Sequence, residues 1–157
     1  MSGRLIGIAR RRAARAPMET LMTAAVTPET GVADDYRGRV RPGRIPRRQV
    51  SILRVEDWQG AEADLGTALP WTMRRANLLV SGITLPQRAG YRLHIGMIVL
   101  EVTGECDPCR RMDEQHPGLW PALIPEWRGG VLARVVTGGA IALGDEVVHH
   151  EVRMDAV

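Results

Sequence analysis

Apolar and polar positions mostly alternate along this chain, and few segments keep a helical period. Arg4–Arg10 (RLIGIAR), Met18–Val26, Gln49–Val55 (QVSILRV), Arg74–Ile83, Leu93–Thr103, Gly130–Thr137 and Glu146–Val152 each read as a strand. Gly96, inside the longest of these, marks a bulge or a hairpin turn, and Gly138-Gly139 signals a hairpin. Glu56–Leu65 reads as a short helix with acids near its start, where the helix dipole favours them. Pro117–Glu126 has room for one helical turn between prolines. Thr27–Pro46 is turn-rich and lacks an apolar period; a loop of that length in a compact domain is usually functional or disordered. Short, fairly evenly spaced strands with little helix predict a mainly β fold, a mixed barrel with a few short helices, as a single domain over residues 1–157.

Composition narrows the chemistry. All 21 basic residues are Arg and none is Lys. That excludes a Schiff-base lysine, and with it covalently bound pyridoxal phosphate, as well as a P-loop lysine. Arginine instead offers a planar fork that holds phosphate or carboxylate through two hydrogen bonds. With four Trp, two Tyr and no Phe, the chain lacks the stacking rings of a single-strand nucleic-acid platform, so no nucleic-acid partner is expected. No apolar run approaches a membrane span, and no membrane partner is expected either. The Arg-rich start, acid-free before Glu19, has a transit-peptide flavour, yet it reads better as a first strand and a basic loop. Without an export signal, and with only two cysteines, a reducing cytoplasm and free thiols are expected.

Both cysteines fall in VLEVTGECDPCRRMD, residues 99–113. A thiolate is both nucleophile and metal ligand, and fixed positive charge nearby favours it. Arg110 and Arg111 supply such charge, while Asp107 and Asp113 oppose it. The Cys106–Cys109 spacing also suits a redox dithiol, but the surroundings lack a βαβ pattern. Zinc would need two further ligands, and His94, His116, His149 and His150 form no second metal-binding unit. His94, alternating with apolar neighbours, reads as a satisfied core histidine. Asp145 after Gly144 reads as a turn former.

The ordered run GVADDYRG, RRQVSILR, RRANLLVSGITL, YRLHIGMIVLEVT, PCRRMDE and WRGGVLARVVTGGAIALGDEV resembles the MOSC domain over residues 4–150. That domain is named for the C-terminal part of molybdenum-cofactor sulfurases. The resemblance implies a β-barrel of mixed strand direction and a bound molybdenum cofactor (molybdopterin). It also implies that Cys109, after a strand and in a Pro-Cys context, is the working residue, as molybdenum ligand or persulfide carrier. Arg75 and Asn77, then Arg74, are the implied phosphate and pterin contacts, with Thr72 and Ser81 behind them. Asp35, Tyr36 and Arg37 resemble the family's loop near the cofactor mouth. Arg54, at the end of a strand, and Arg110 are further cofactor-binding candidates, and Arg128-Gly129-Gly130 offers close backbone approach to a ligand. RRANLLV has one residue more before its Asn than the commoner R-N-L form, a shift that would turn Arg75 from the site.

Two activities follow from the resemblance. One is reduction of N-hydroxylated small molecules, fed by an electron-transfer protein. The other is cofactor sulfur transfer, with sulfur supplied by a separate cysteine desulfurase. A non-catalytic carrier of cofactor or another anionic small molecule is the alternative, and an interaction module with a decayed site is a third.

Overall fold

The strand nearest the N-terminus shows why this sequence closes into a barrel. In a computed structural model, which describes residues 2–152, β1 (Ser2–Arg10) buries Gly3 and Leu5 between exposed neighbours, then buries Gly7, Ile8 and Ala9 in succession. The register with its neighbour shifts between Leu5 and Gly7, and Trp71 packs on Gly7 so closely that a Cβ there would lie 2.7 Å from the indole. The strand thus serves the barrel interior along its whole length and a second layer at its end.

The other elements follow in chain order. Two short strands, β2 (Glu19–Leu21) and β3 (Thr23–Thr27), precede β4 (Gly31–Val32). Next come β5 (Val50–Arg54), α1 (Val55–Leu65), a 3-10 turn (Trp71–Arg74) and β6 (Leu78–Ser81). The hairpin β7 (Arg92–Ile95) and β8 (Ile98–Glu105) leads to α2 (Met112–Gln115), α3 (Leu119–Leu123) and a second 3-10 turn (Pro125–Trp127). The chain finishes with β9 (Val131–Thr137), β10 (Gly139–Ala142) and β11 (Glu146–His150).

Strands β11, β7, β8, β9, β5, β6 and β1 are hydrogen-bonded in that order, and β1 pairs back onto β11 to close the barrel. Every barrel pairing is antiparallel except β5–β6. A parallel pair needs a crossover connection, and α1 with its 3-10 turn supplies it. The alternation Ile52/Leu53 on β5 divides the apolar load. Ile52 joins Leu5, Ile8, Val80, Leu93 and Leu100 inside the barrel, whereas Leu53 packs with Trp58, Leu79, Leu119 and Leu123 under α1. Trp58 satisfies its indole N–H on the Leu69 carbonyl at 2.8 Å, as a buried Trp requires. A small second sheet, β10-β3-β4, flanks the barrel.

The mixed barrel with three short helices agrees with expectation, but several boundaries move. Met18–Val26 is two strands in different sheets, broken at the exposed Met22. Gly138-Gly139 makes no hairpin: β10 leaves β9 and pairs with β3. The expected strand from Arg74 begins only at Leu78, because the chain first completes a 3-10 turn and passes through Arg75 at φ +62°. Gly96 (φ +56°) and Met97 form the two-residue hairpin between β7 and β8, the turn type that demands positive φ. Asp145 does form a turn, its carboxylate accepting from the Ala142 N–H at 2.9 Å.

Candidate functional site

One end of the barrel opens into a cavity of about 640 Å³ where segments distant in sequence meet. The β1–β2 loop brings Arg11 and Arg15, the loop after β4 brings Asp35, Tyr36 and Arg37, and the run before β5 brings Arg48. The turn before β6 brings Arg74, Arg75 and Asn77; the chain leaving β8 brings Cys106, Asp107, Cys109 and Arg111.

The two cysteines differ sharply in setting. Cys109 is exposed at the cavity, while Cys106 is buried. Arg74, itself only 7% exposed, spans the gap between two chain segments. Its Nε donates to the Gly129 carbonyl at 2.9 Å, and its Nη2 donates to the Cys106 carbonyl at 2.7 Å and reaches Cys106 Sγ at 3.1 Å. Nη1 faces Met112 Sδ at 3.8 Å. The Gly129 position is needed for this packing. A Cβ there would lie 2.6 Å from the Cys106 carbonyl oxygen and 3.1 Å from Arg74 Nη2. The close approach expected at Arg128-Gly129-Gly130 is therefore to the cysteine segment of the protein itself.

Residues 106–109 run without turn or bend. Both cysteines are free, Cys106 buried and Cys109 exposed. The C-x-x-C pair forms no disulfide in this structure. Among the described residues, no group of three or more His, Cys, Asp or Glu side chains is placed to hold a metal ion, so the zinc alternative has no ligand set.

Asn77 is buried and fully engaged. Its Oδ1 accepts from the Ser51 N–H at 3.0 Å and hydroxyl at 3.2 Å, and its Nδ2 donates to the Ala9 carbonyl at 3.2 Å. It ties β5 to β1 beneath the cavity floor. Asp35 accepts the Arg11 backbone N–H at 3.1 Å, which fixes the loop that carries Tyr36 and Arg37. Arg75 remains at the cavity despite the longer R-R-A-N segment, held by a bond from Nη2 to the Ala16 carbonyl.

Several expected contacts lie elsewhere. Arg54 sits at the N-cap position of α1 and pairs with Asp57 at 3.4 Å and Glu56 at 3.8 Å; the chain turns into a helix at that point, so its guanidinium is held by the first turn of α1 and does not line the cavity. Arg110 is exposed and off the cavity, and Arg111 lines it instead, because the turn from Cys109 to Met112 sets the register. Arg128 is bound to Asp64 at 2.6 Å. Thr72 and Ser81 do not line the cavity. Arg11, Arg15, Arg48 and Ser51 were not singled out beforehand; the RRRAAR run held the only local hint of the first two. His94 is not a core histidine. It is half-buried on the outer barrel face, and burial, then His150 and Arg92, holds its imidazole below the ordinary value.

The electrostatics of the cavity are uneven. Among the described residues, the arginines in ion pairs are Arg10, Arg12, Arg54, Arg88, Arg92, Arg128 and Arg134. Not one of them lines the cavity. Arg11, Arg15, Arg37, Arg48, Arg74, Arg75 and Arg111 do line it, and among the described residues none has a carboxylate partner within ion-pair distance. Burial, then repulsion from Arg75 and Arg37, lowers the Arg11 pKa, with Asp35 and Tyr36 opposing; burial lowers that of Arg75. Seven guanidinium groups converge there against three carboxylates, Asp35, Asp107 and Glu114, and that excess of positive charge suits an anion.

At the end of β8, burial first and then the hydrogen bond and charge of Asp107 raise the Glu105 pKa, against the pull of Arg74. A carboxyl whose pKa is raised by folding gives stability that is present below its unfolded value and lost as pH climbs through the folded one. Glu105→Gln is therefore expected to melt above the wild type at pH 7 and level with it below pH ~4. Thermal melts across that range read the difference, and equal melting at pH 7 would contradict the assignment.

The MOSC domain family profile matches residues 26–148. This chain belongs to the MOSC domain family. Three solved structures share the fold of this MOSC protein. YuaD from Bacillus subtilis is 22% identical, with a TM-score of 0.80 and 98% of each chain covered. YiiM from Geobacillus stearothermophilus is 18% identical, with a TM-score of 0.66 over 99% of this chain and 76% of that one. YiiM from Escherichia coli is 13% identical, with a TM-score of 0.68 over 98% and 73%. No match was found among curated proteins. No helix among the described residues is long and apolar enough to cross a membrane.

Proposed function

We propose that this MOSC protein binds the molybdenum cofactor in the arginine-lined cavity, with Cys109 as the sulfur that meets the metal. The observation that carries this reading is the excess of arginine: seven guanidinium groups line the cavity against three carboxylates, none of the seven is in an ion pair among the described residues, and the same cavity holds an exposed thiol. Arg11, Arg37 and Arg75 would hold the phosphate, since forked donors suit its oxygens. About 640 Å³ is within the size range of small-molecule sites. A soft thiolate matches the metal. When bound, the cofactor would supply a molybdenum centre able to exchange an oxygen ligand and change oxidation state by two electrons.

The chain's own residues would do the positioning. Asn77 and Ser51 keep the floor closed, and Arg74 locks the segment that leads to Cys109. Asp35 orders the loop bearing Arg37. An exposed Cys109 also suits a persulfide carrier, because reversible persulfidation needs an accessible thiolate. Sulfur transfer would draw on a cysteine desulfurase, and reduction of an N-hydroxylated compound on an electron-transfer protein.

Production in a host that makes molybdenum cofactor tests the reading, with bound molybdenum and pterin measured per chain. Arg37→Ala is expected to lower both several-fold while leaving the melting temperature of the metal-free protein unchanged, since the Arg37 side chain is exposed and carries no ion pair. Molybdenum at background in the wild type would sink the proposal. Cyanide-releasable sulfur on Cys109 would favour the carrier over the reductase.

A further inference from the structure

We propose that His94 and His150 form a two-imidazole chelate for a divalent d-block cation, on the outer wall of the barrel and apart from the cysteine cavity. Strands β7 and β11 pair with His94 opposite Val148 and His150 opposite Arg92. The two histidines are thus diagonal neighbours on one face, a spacing that long side chains bridge. That face points outward, because Leu93 and Ile95, the alternate residues of β7, are fully buried. The imidazole centroids lie 4.2 Å apart with the rings tilted by 43°. They are tilted against each other, neither flat-stacked nor edge-on, and close enough for one ion to engage both rings.

Metal–nitrogen bonds of about 2.0–2.1 Å need two bound nitrogens roughly 3 Å apart, a separation these rings can reach. Among the described residues, neither histidine donates or accepts a side-chain hydrogen bond, whereas His116 and His149 each have a polar neighbour, at 2.9 Å and 3.1 Å. Arg92, the nearest fixed positive charge on β7, is drawn toward Glu101 on β8 at 3.7 Å. Imidazole pairs suit borderline cations such as Ni²⁺, Cu²⁺ and Zn²⁺, and water would complete the coordination. Neither residue lines the cavity, so this site and the cofactor site stand or fall separately.

The test is calorimetric titration of Ni²⁺ into the full chain without an affinity tag, with thermal melts confirming that each variant is folded. One saturable Ni²⁺ per chain is expected. His94→Ala and His150→Ala should each weaken it at least about tenfold, while Cys109→Ser and His116→Ala leave it unchanged. Absence of binding by the wild type, undiminished affinity in either of the two histidine variants, or loss in Cys109→Ser would overturn the chelate.

Discussion

Cys109→Ser is expected to reduce bound molybdenum at least about tenfold in protein from a cofactor-producing host, and Cys106→Ser is expected to retain it. The two thiols are three residues apart, yet their settings have little in common. Cys109 is exposed on the cavity, where its sulfur can reach a ligand. Cys106 is buried against the Arg74 guanidinium at 3.1 Å, and its carbonyl is bound by the same group. Serine replaces a soft donor with a hard oxygen of nearly the same shape, so the change tests bonding to the metal more than packing. Cys106→Ser should instead show itself as a lower melting temperature. Metal kept by Cys109→Ser and lost by Cys106→Ser would reverse the assignment.

The strands were legible because their apolar alternation reports which face meets the barrel interior, as at Leu93/Ile95 and Val50/Ile52. The resemblance carried the fold class. What failed was information that exists only in three dimensions. Arg54 ends a strand in sequence, but the helix that starts at Val55 turns it toward Glu56 and Asp57. Arg110 and Arg111 are indistinguishable as neighbours until the turn after Cys109 sets their directions.

The arginine cluster was hidden for a similar reason. Arg11, Arg37, Arg48, Arg75 and Arg111 come from four separate loops that closure of the barrel brings to one end. In a chain whose basic residues are all Arg, composition does not mark which ones are unpaired. Ion pairing does. The same limit applied to Gly138-Gly139, where a hairpin signal gave way to a change of sheet, and to His94, whose solvent face depends on strand pairing that alternation alone does not orient.

Arg74 shows the distinction between a ligand contact and a structural bond most clearly, and Arg74→Met should cost the fold about 2–4 kcal/mol. Met restores much of the volume but none of the donors. The Gly129 carbonyl would lose its partner at 2.9 Å and the Cys106 carbonyl its partner at 2.7 Å. A buried acceptor without a donor costs about 1–3 kcal/mol, and removing a buried, desolvated charge recovers part of that loss. At about 2–4 °C per kcal/mol for a chain of this size, the melting temperature should drop by roughly 4–16 °C. Arg74→Lys should also destabilise, because a single ammonium cannot reproduce a fork that bridges two chain segments. Arg37→Ala, by contrast, should leave the melt in place and lose pterin. If Arg74→Met melted with the wild type and lost only pterin, Arg74 would be the phosphate contact that its place in the R-R-A-N segment suggests, and its bonds to Gly129 and Cys106 would be incidental.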